Sequence, residues 1–189
     1  MKLNQSAWSI LGVLSLHPRQ SGYHIRKTVE NSIGYFWGES FGQIYPSLKK
    51  LLAEGLIEED GPQGPKKSQE YSITPSGEQA LNEWLALPYR EDPPRDEFLL
   101  KLFFGVQSTP EATLQQLQRY RQNKLDLLNK LSTLAVLAKE NKNAEHPGFP
   151  YWMLTLDCGL AHLRTAVEWS DEAIRRVQEL SASPQKEAQ

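Results

Sequence analysis

The sequence predicts a mainly α-helical protein of two domains, with a single β-hairpin in the first. Apolar residues recur three or four positions apart through most of the 189-residue chain, which is the spacing of a helix with one buried face. Strand-like alternation appears only around residues 56–60 and 69–73. The proline-rich segment 88–95 reads as a linker. We therefore expect domains at 1–87 and 96–180, followed by a disordered polar tail at 181–189.

The first domain opens with two predicted helices, at residues 4–16 and 21–30. Pro18 ends the first helix, because proline cannot continue the backbone hydrogen-bond pattern. Ser21 is suited to cap the second, in which Ile25 and Val29 face inward. Residues 34–38 follow, and we expect a turn there that is held by buried aromatic rings.

A third helix is expected over residues 40–54. Ser40 and Gln43 have the spacing of a capping box, and Gly55 is suited to the left-handed position that ends a helix. Pro46 belongs in a first helical turn, so regular helix should begin near residue 42 or 43. Ile44, Leu48, Leu51 and Leu52 form the predicted buried stripe.

Two strands and a fourth helix complete the first domain. The strands at 56–60 and 69–73 flank a loop marked by glycine and proline, which predicts a two-stranded β-wing. Thr74 and Pro75 then supply the cap and first residue of a helix that ends near Leu87.

The second domain is predicted to be entirely helical. Asp96 caps a short helix over residues 97–105, and Pro110 opens a long helix that reaches about residue 141. A last helix covers residues 151–180. Two long apolar stripes in one chain indicate either a helical hairpin or an intermolecular bundle. We assign dimerisation to Leu117, Leu127, Leu131, Leu156, Leu160, Leu163 and Val167.

The order of elements in the first domain is that of a winged helix-turn-helix. Such a domain places one helix in the DNA major groove, so that helix must bury one face and offer the other. On the third helix the outward positions are Gln43, Pro46, Lys49, Lys50 and Ala53, with Tyr45 and Ser47 on the flanks. Lysine neutralises phosphate, and glutamine and tyrosine can bond to bases or sugars. We therefore expect double-stranded DNA as the partner.

Net charge leaves this interpretation open, because a chain of net charge −2 can still carry a local cationic surface. The alternative is a winged-helix module that binds a protein partner without DNA. A surface of that kind should be apolar, whereas the outward positions of the third helix are polar and cationic.

Five segments closely resemble the PadR family of transcriptional regulators. They are GYHI at 22–25, GYFW at 34–37, GQIYPSLKKL at 42–51, EGLI at 54–57 and EYSITPSG at 70–77. DEFLLKLFF at 96–104 and the stretch 159–169 are more loosely similar to the virulence-activator-like C-terminal domain of the longer PadR subgroup.

The resemblance implies a homodimer joined by its C-terminal helices on a partly palindromic operator, and we expect it to repress transcription. It also implies that Tyr45 and Lys49 face DNA, that Tyr23 approaches a phosphate, and that Lys66 and Lys67 serve the wing. Pro62 and Pro65 depart from a wing loop in which family members often carry arginine as well. The assigned DNA-binding set is Tyr23, Ser40, Gln43, Tyr45, Lys49, Lys50, Lys66 and Lys67.

Other chemistry finds little support in the sequence. Cys158 and His162 have a spacing that can share a metal, but no second such pair exists, so we interpret them as a buried core pair. There is no nucleophile elbow, phosphate-binding glycine loop or zinc signature. We expect no enzyme activity, cofactor or metal.

The tryptophans have two interpretations. Core packing is the first, because most lie at apolar helical positions. The alternative is a pocket for a small aromatic effector at the dimer interface, lined by Trp84, Trp152 and Trp169.

The expected location is the cytoplasm. A single cysteine fits a reducing compartment. No stretch approaches the roughly 18 apolar residues that a membrane span requires.

Overall fold

The computed structural model describes residues 3–37, 41–63, 68–89, 95–140 and 145–182. The chain divides into two compact units, Met1–Glu91 and Asp92–Gln189. Ser40, Lys66, Lys67, most of the proline-rich segment and the chain from residue 183 onward lie outside the described residues. In the part of the chain that is described, no helix is long and apolar enough to cross a membrane.

Three helices of the first unit begin where a side chain caps them. α1 spans Gln5–Leu16, and the Asn4 side chain accepts a hydrogen bond from the Ala7 amide at 2.9 Å. α2 spans Gly22–Ser32 with Ser21 as its cap, and α4 spans Pro75–Ala86 with Thr74 as its cap. These caps satisfy amides that have no partner inside the helix. The predictions for Ser21, Thr74 and Pro75 are confirmed.

α3 spans Ile44–Ala53 and follows a 3₁₀ turn at Phe41–Gln43. Pro46 lies in the first turn, and Gly55 adopts a φ of +67°, both as predicted. The predicted capping box pairs Gln43 with Ser40, which lies outside the described residues. Gln43 is itself the residue that precedes the helix, and its side chain makes no capping bond.

The sheet of the first unit has three antiparallel strands. β2 (Ile57–Gln63) and β3 (Ser68–Ile73) form the predicted hairpin, with Glu59 opposite Tyr71. β1 (Gln20–Ser21) pairs with the other edge of β3, so the order is β1-β3-β2. The two-stranded prediction missed β1, because two residues are too few to show alternation.

The core of this unit lies between α1, α2, α3 and the sheet. Its fully buried side chains include Ala7, Ile10, Leu11, Leu14, Ile25, Val29, Ile44, Leu48 and Leu51. The predicted inward positions of α2 and α3 are therefore confirmed, with Leu52 half-buried. The turn that begins at residue 34 differs from the prediction. Tyr35 and Trp37 are half-buried and Phe36 is 52% exposed, so buried rings do not hold this turn.

The second unit is helical. α5 spans Glu97–Phe103, capped by Asp96 as predicted, and a 3₁₀ turn follows at Gly105–Gln107. α6 spans Pro110–Glu140 and α7 spans Phe149–Ala182, so α7 extends two residues into the predicted tail. α6 and α7 pack along each other as a hairpin, tied by Arg121 Nε to Asp171 Oδ1 at 2.5 Å.

This hairpin gives the predicted dimerisation residues neighbours within one chain. Leu117, Leu131, Leu156, Leu160 and Leu163 are at most 7% exposed within one chain, and Leu127 and Val167 are half-buried. The helical stripes therefore meet inside the chain, which was the first of the two alternatives that the sequence left open.

Candidate nucleic-acid interface

α3 buries one face and exposes the other. Ile44, Leu48 and Leu51 point into the core. The opposite side, called here the α3 outer face, consists of exposed Gln43, Tyr45, Pro46, Lys49, Lys50 and Ala53. The positions of α3 that were predicted to face outward are therefore exposed, and so is Tyr45, which was predicted on a flank. The result is a polar, cationic surface on a helix whose other side is fixed by apolar packing.

Ser47 is the exception on α3. It was predicted on a flank of the helix, but it is 2% exposed, and Asn4 Nδ2 lies 3.1 Å from its Oγ. A buried hydroxyl costs little when it has a partner, and Asn4 supplies one. The sequence offers no signal for this pair, because its members are 43 positions apart.

Tyr45 connects three elements of the first unit. Its ring lies against Gly22 at the start of α2, and its side chain is 55% exposed. On the sheet side it neighbours Tyr71. Burial raises the pKa of the Tyr71 phenol, and the Glu59 carboxylate and Tyr45 raise it further. Tyr45 thus stands where α2, α3 and the hairpin meet, with half of its surface free.

The start of α2 adds a second exposed tyrosine. Tyr23 directly follows Gly22, and Lys27 Nζ lies 5.8 Å from the centroid of its ring. Because Gly22 touches Tyr45, the beginning of α2 lies beside the α3 outer face. A phenol beside an ammonium group is suited to a phosphate, through one hydrogen bond and one charge.

Arg19 is a basic residue near the sheet that the sequence analysis did not single out. Its backbone adopts a φ of 58°, and its Nε lies 3.9 Å from Asp60 Oδ2. Asp60 also accepts a short hydrogen bond from Ser72 across the hairpin. This arrangement ties the loop before β1 to β2.

Metal chemistry has no support in the described residues, where no three His, Cys, Asp or Glu side chains gather closely enough to hold an ion. The interpretation of Cys158 and His162 as a buried pair is wrong, because both are exposed on α7.

The three tryptophans assigned to an effector pocket have different neighbours. Trp84 stacks on Trp8 at 5.0 Å within the first unit. On α7, Trp152 stacks on His146, whereas Trp169 meets Phe98 and Tyr120 edge-on. At 1.5 Å per residue, Trp152 and Trp169 lie about 25 Å apart along α7. One chain therefore does not bring these two into a common pocket.

The second unit also has a cavity of about 430 Å³ that none of these tryptophans lines. It lies between α5 and the first turns of α6, and its walls include Phe98, Leu102, Phe104 and Thr113.

Comparison with known proteins agrees with this architecture. Residues 10–83 match the transcriptional regulator PadR-like family, and residues 94–178 match the virulence activator alpha C-terminal domain. The chain is 32% identical over 178 residues to the negative transcriptional regulator PadR of Bacillus subtilis (strain 168). That match covers 90% of this chain and 96% of the relative.

Two crystal structures of Bacillus subtilis PadR superpose on almost the whole chain, each at 26% identity. The complex with operator DNA gives a TM-score of 0.76, covering 90% of this chain and 98% of that one. The complex with p-coumaric acid gives 0.74, with 91% and 98% covered. The winged helix, the helical second unit and the match along nine-tenths of the sequence agree: this chain belongs to the PadR-like family of transcriptional regulators.

Proposed function

We propose that this regulator is a homodimeric repressor that binds a partly palindromic operator through the α3 outer face. The observation that carries the proposal is the exposure of Tyr45, Lys49 and Lys50 on a helix whose opposite side is fully buried. A surface meant for a protein partner would be apolar, and this one is polar and cationic. In a two-fold dimer, two such helices would enter major grooves about 34 Å apart.

The supporting contacts to DNA come from the flanks of α3 in this proposal. Tyr23, with Lys27 beside it, would meet a phosphate next to the half-site. Gln43 and Ser40 would meet the duplex at the beginning of α3, and Lys66 and Lys67 would reach the adjacent groove from the wing. Phosphate contacts would set the register, while Gln43 and Tyr45 would contact base edges.

The surface for a second copy is assigned to exposed apolar residues around α5. This α5 surface consists of Leu99, Leu100, Phe103, Phe104 and Val106, of which Phe103 is 81% and Val106 89% exposed. Together these side chains offer roughly 600 Å² per copy, or roughly 1,200 Å² in a pair, which reaches the range of specific interfaces. The cavity beside Phe104 adjoins this α5 surface and would accept a protruding side chain of the second copy.

The proposed direction of regulation and the proposed effector are supported by two relatives. The curated relative is a negative regulator, which supports repression here. Bacillus subtilis PadR has been crystallised with p-coumaric acid. We propose that this chain also binds a small aromatic effector. Trp169 would contribute to its pocket, since it is partly exposed beside Phe98 and Tyr120. The other two assigned tryptophans, Trp84 and Trp152, would line the pocket only if a second copy of the chain brings them next to Trp169.

The test begins with a labelled duplex that the full-length protein selects from a random DNA pool. Lys49→Ala should weaken binding and reduce the slope of log affinity against log salt concentration by about one, as expected for one lost phosphate contact. Lys130→Ala, which removes an exposed lysine of α6, is the matched control and should change neither quantity. An unchanged affinity for Lys49→Ala would remove Lys49 from the DNA interface.

A further inference from the structure

The side-chain amide of Asn4 serves two helices at once. Its Oδ1 accepts from the Ala7 amide at 2.9 Å and so caps α1. Its Nδ2 donates to Ser47 Oγ at 3.1 Å, and that hydroxyl also lies 3.3 Å from Oδ1. Asn4 therefore links the beginning of α1 to the first turns of α3.

The first turn of α3 packs on Gly22 through the Tyr45 ring, but that contact is apolar. The residue before α3, Gln43, makes no side-chain capping bond, and Pro46 has no amide hydrogen to donate. The buried stripe of Ile44, Leu48 and Leu51 holds α3 against the core. Apolar contacts are not directional, however, so they tolerate a small rotation of a helix about its axis. A hydrogen bond from a buried hydroxyl is directional and opposes that rotation.

We infer that Asn4 is a positioning residue for DNA recognition, because its bond to Ser47 sets the rotation of α3. This inference rests on the proposed function of the α3 outer face. Ser47 lies two positions from both Tyr45 and Lys49, so a rotation at Ser47 moves both of them. At the 5–6 Å radius of a helix with side chains, a rotation of about 20° shifts their ends by about 2 Å. A shift of that size disrupts a base contact, whereas a phosphate contact made by a long lysine tolerates it.

The experiment uses two single variants of the full chain and their combination. Asn4→Ser keeps a good capping residue on α1, but its side chain is too short to reach Ser47. Ser47→Ala removes the hydroxyl and leaves Asn4 in place. Fluorescence anisotropy gives the affinities for the selected duplex and for a scrambled duplex of the same composition. Each single variant should reduce the ratio of the two affinities about fivefold, the size expected for one neutral hydrogen bond. The double variant should reduce it no further.

Ser170→Ala is the matched control, because Ser170 is also fully buried but bonds to Ala166 within α7. Urea unfolding of every variant separates stability from positioning. The inference is overturned if Asn4→Ser and Ser47→Ala lower the urea midpoint while the affinity ratio stays within twofold of the parent. It is also overturned if their effects on the ratio simply add. Measuring Lys49→Ala on the same duplexes distinguishes failure of the positioning role of Asn4 from failure of the proposed DNA-binding function. If Lys49→Ala weakens binding and the other two variants keep the ratio, only the positioning role fails.

Discussion

The ring of Tyr45 lies so close to Gly22 that a Cβ at Gly22 would be 2.9 Å from Cε1 of that ring. α2 can therefore approach α3 at this point only because residue 22 has no side chain. Tyr45 belongs to the α3 outer face, and Tyr23 follows Gly22 directly. The contact thus brings the beginning of α2, which carries the exposed Tyr23, against the α3 outer face.

Gly22→Ala should weaken binding to the selected duplex several-fold, because the added methyl displaces the Tyr45 ring. Stability should change by less than about 1 kcal/mol, since Tyr45 is half-exposed and can move outward while alanine favours the helix. Fluorescence anisotropy and urea unfolding measure the two quantities.

Gly12→Ala is the control: a Cβ at Gly12 meets nothing within 4 Å. It should raise stability by about 0.5–1 kcal/mol and leave affinity unchanged. Unchanged affinity in Gly22→Ala would mean that the position of Tyr45 is irrelevant to DNA.

Gly77→Ala should destabilise the first unit by about 3 kcal/mol. A Cβ at Gly77 would lie 2.0 Å from the carbonyl oxygen of Leu56, so backbone must shift to admit it. The free energy of unfolding in urea measures this cost. Gly61→Ala, on the exposed side of β2 with nothing within 4 Å, should cost far less. Equal midpoints for the two variants would show that α4 can move away from Leu56 freely.

Alkaline pH should destabilise the protein partly through Tyr71. Its pKa in the folded state is raised above the ordinary value of 10.0, first by burial and then by Glu59 and Tyr45. The unfolded chain therefore ionises this phenol first. Its contribution to stability is complete below about pH 10 and is lost as the pH rises through the raised pKa.

Urea unfolding between about pH 8 and 11 should show a shallower decline in stability for Tyr71→Phe than for the parent. Tyr89→Phe, which alters an exposed phenol, should follow the parent. Parallel curves for Tyr71→Phe and the parent would contradict the assignment.

Phe103→Glu should convert a dimer to a monomer of 21.5 kDa in sedimentation equilibrium. A carboxylate on the α5 surface would have to be buried without a partner in the dimer, which costs several kcal/mol. Leu180→Glu changes an equally apolar, exposed side chain near the end of α7 and should leave the dimer intact. A dimeric Phe103→Glu protein would place the interface away from α5.

Local signals predicted the helices of this protein well. Ser21, Thr74 and Asp96 mark helix beginnings because their side chains bond to amides two or three positions ahead, a relationship contained in the sequence itself. The spacing of Ile44, Leu48 and Leu51 likewise fixed which side of α3 is buried, and with it the exposure of Lys49 and Lys50. β1 was not predicted, because its two residues become a strand only through pairing with β3.

The sequence by itself determined the helical spacing, the caps and the cationic side of α3, since each depends on residues within a few positions of one another. Tertiary structure alone decided that Ser47 points inward and bonds to Asn4, and that the Tyr45 ring packs on Gly22. It also decided that the leucines of α6 and α7 meet within one chain. An apolar stripe specifies that a face will be covered but not by what, because burial of apolar surface has no direction. The identity of the covering partner depends on where distant segments of the chain are brought together.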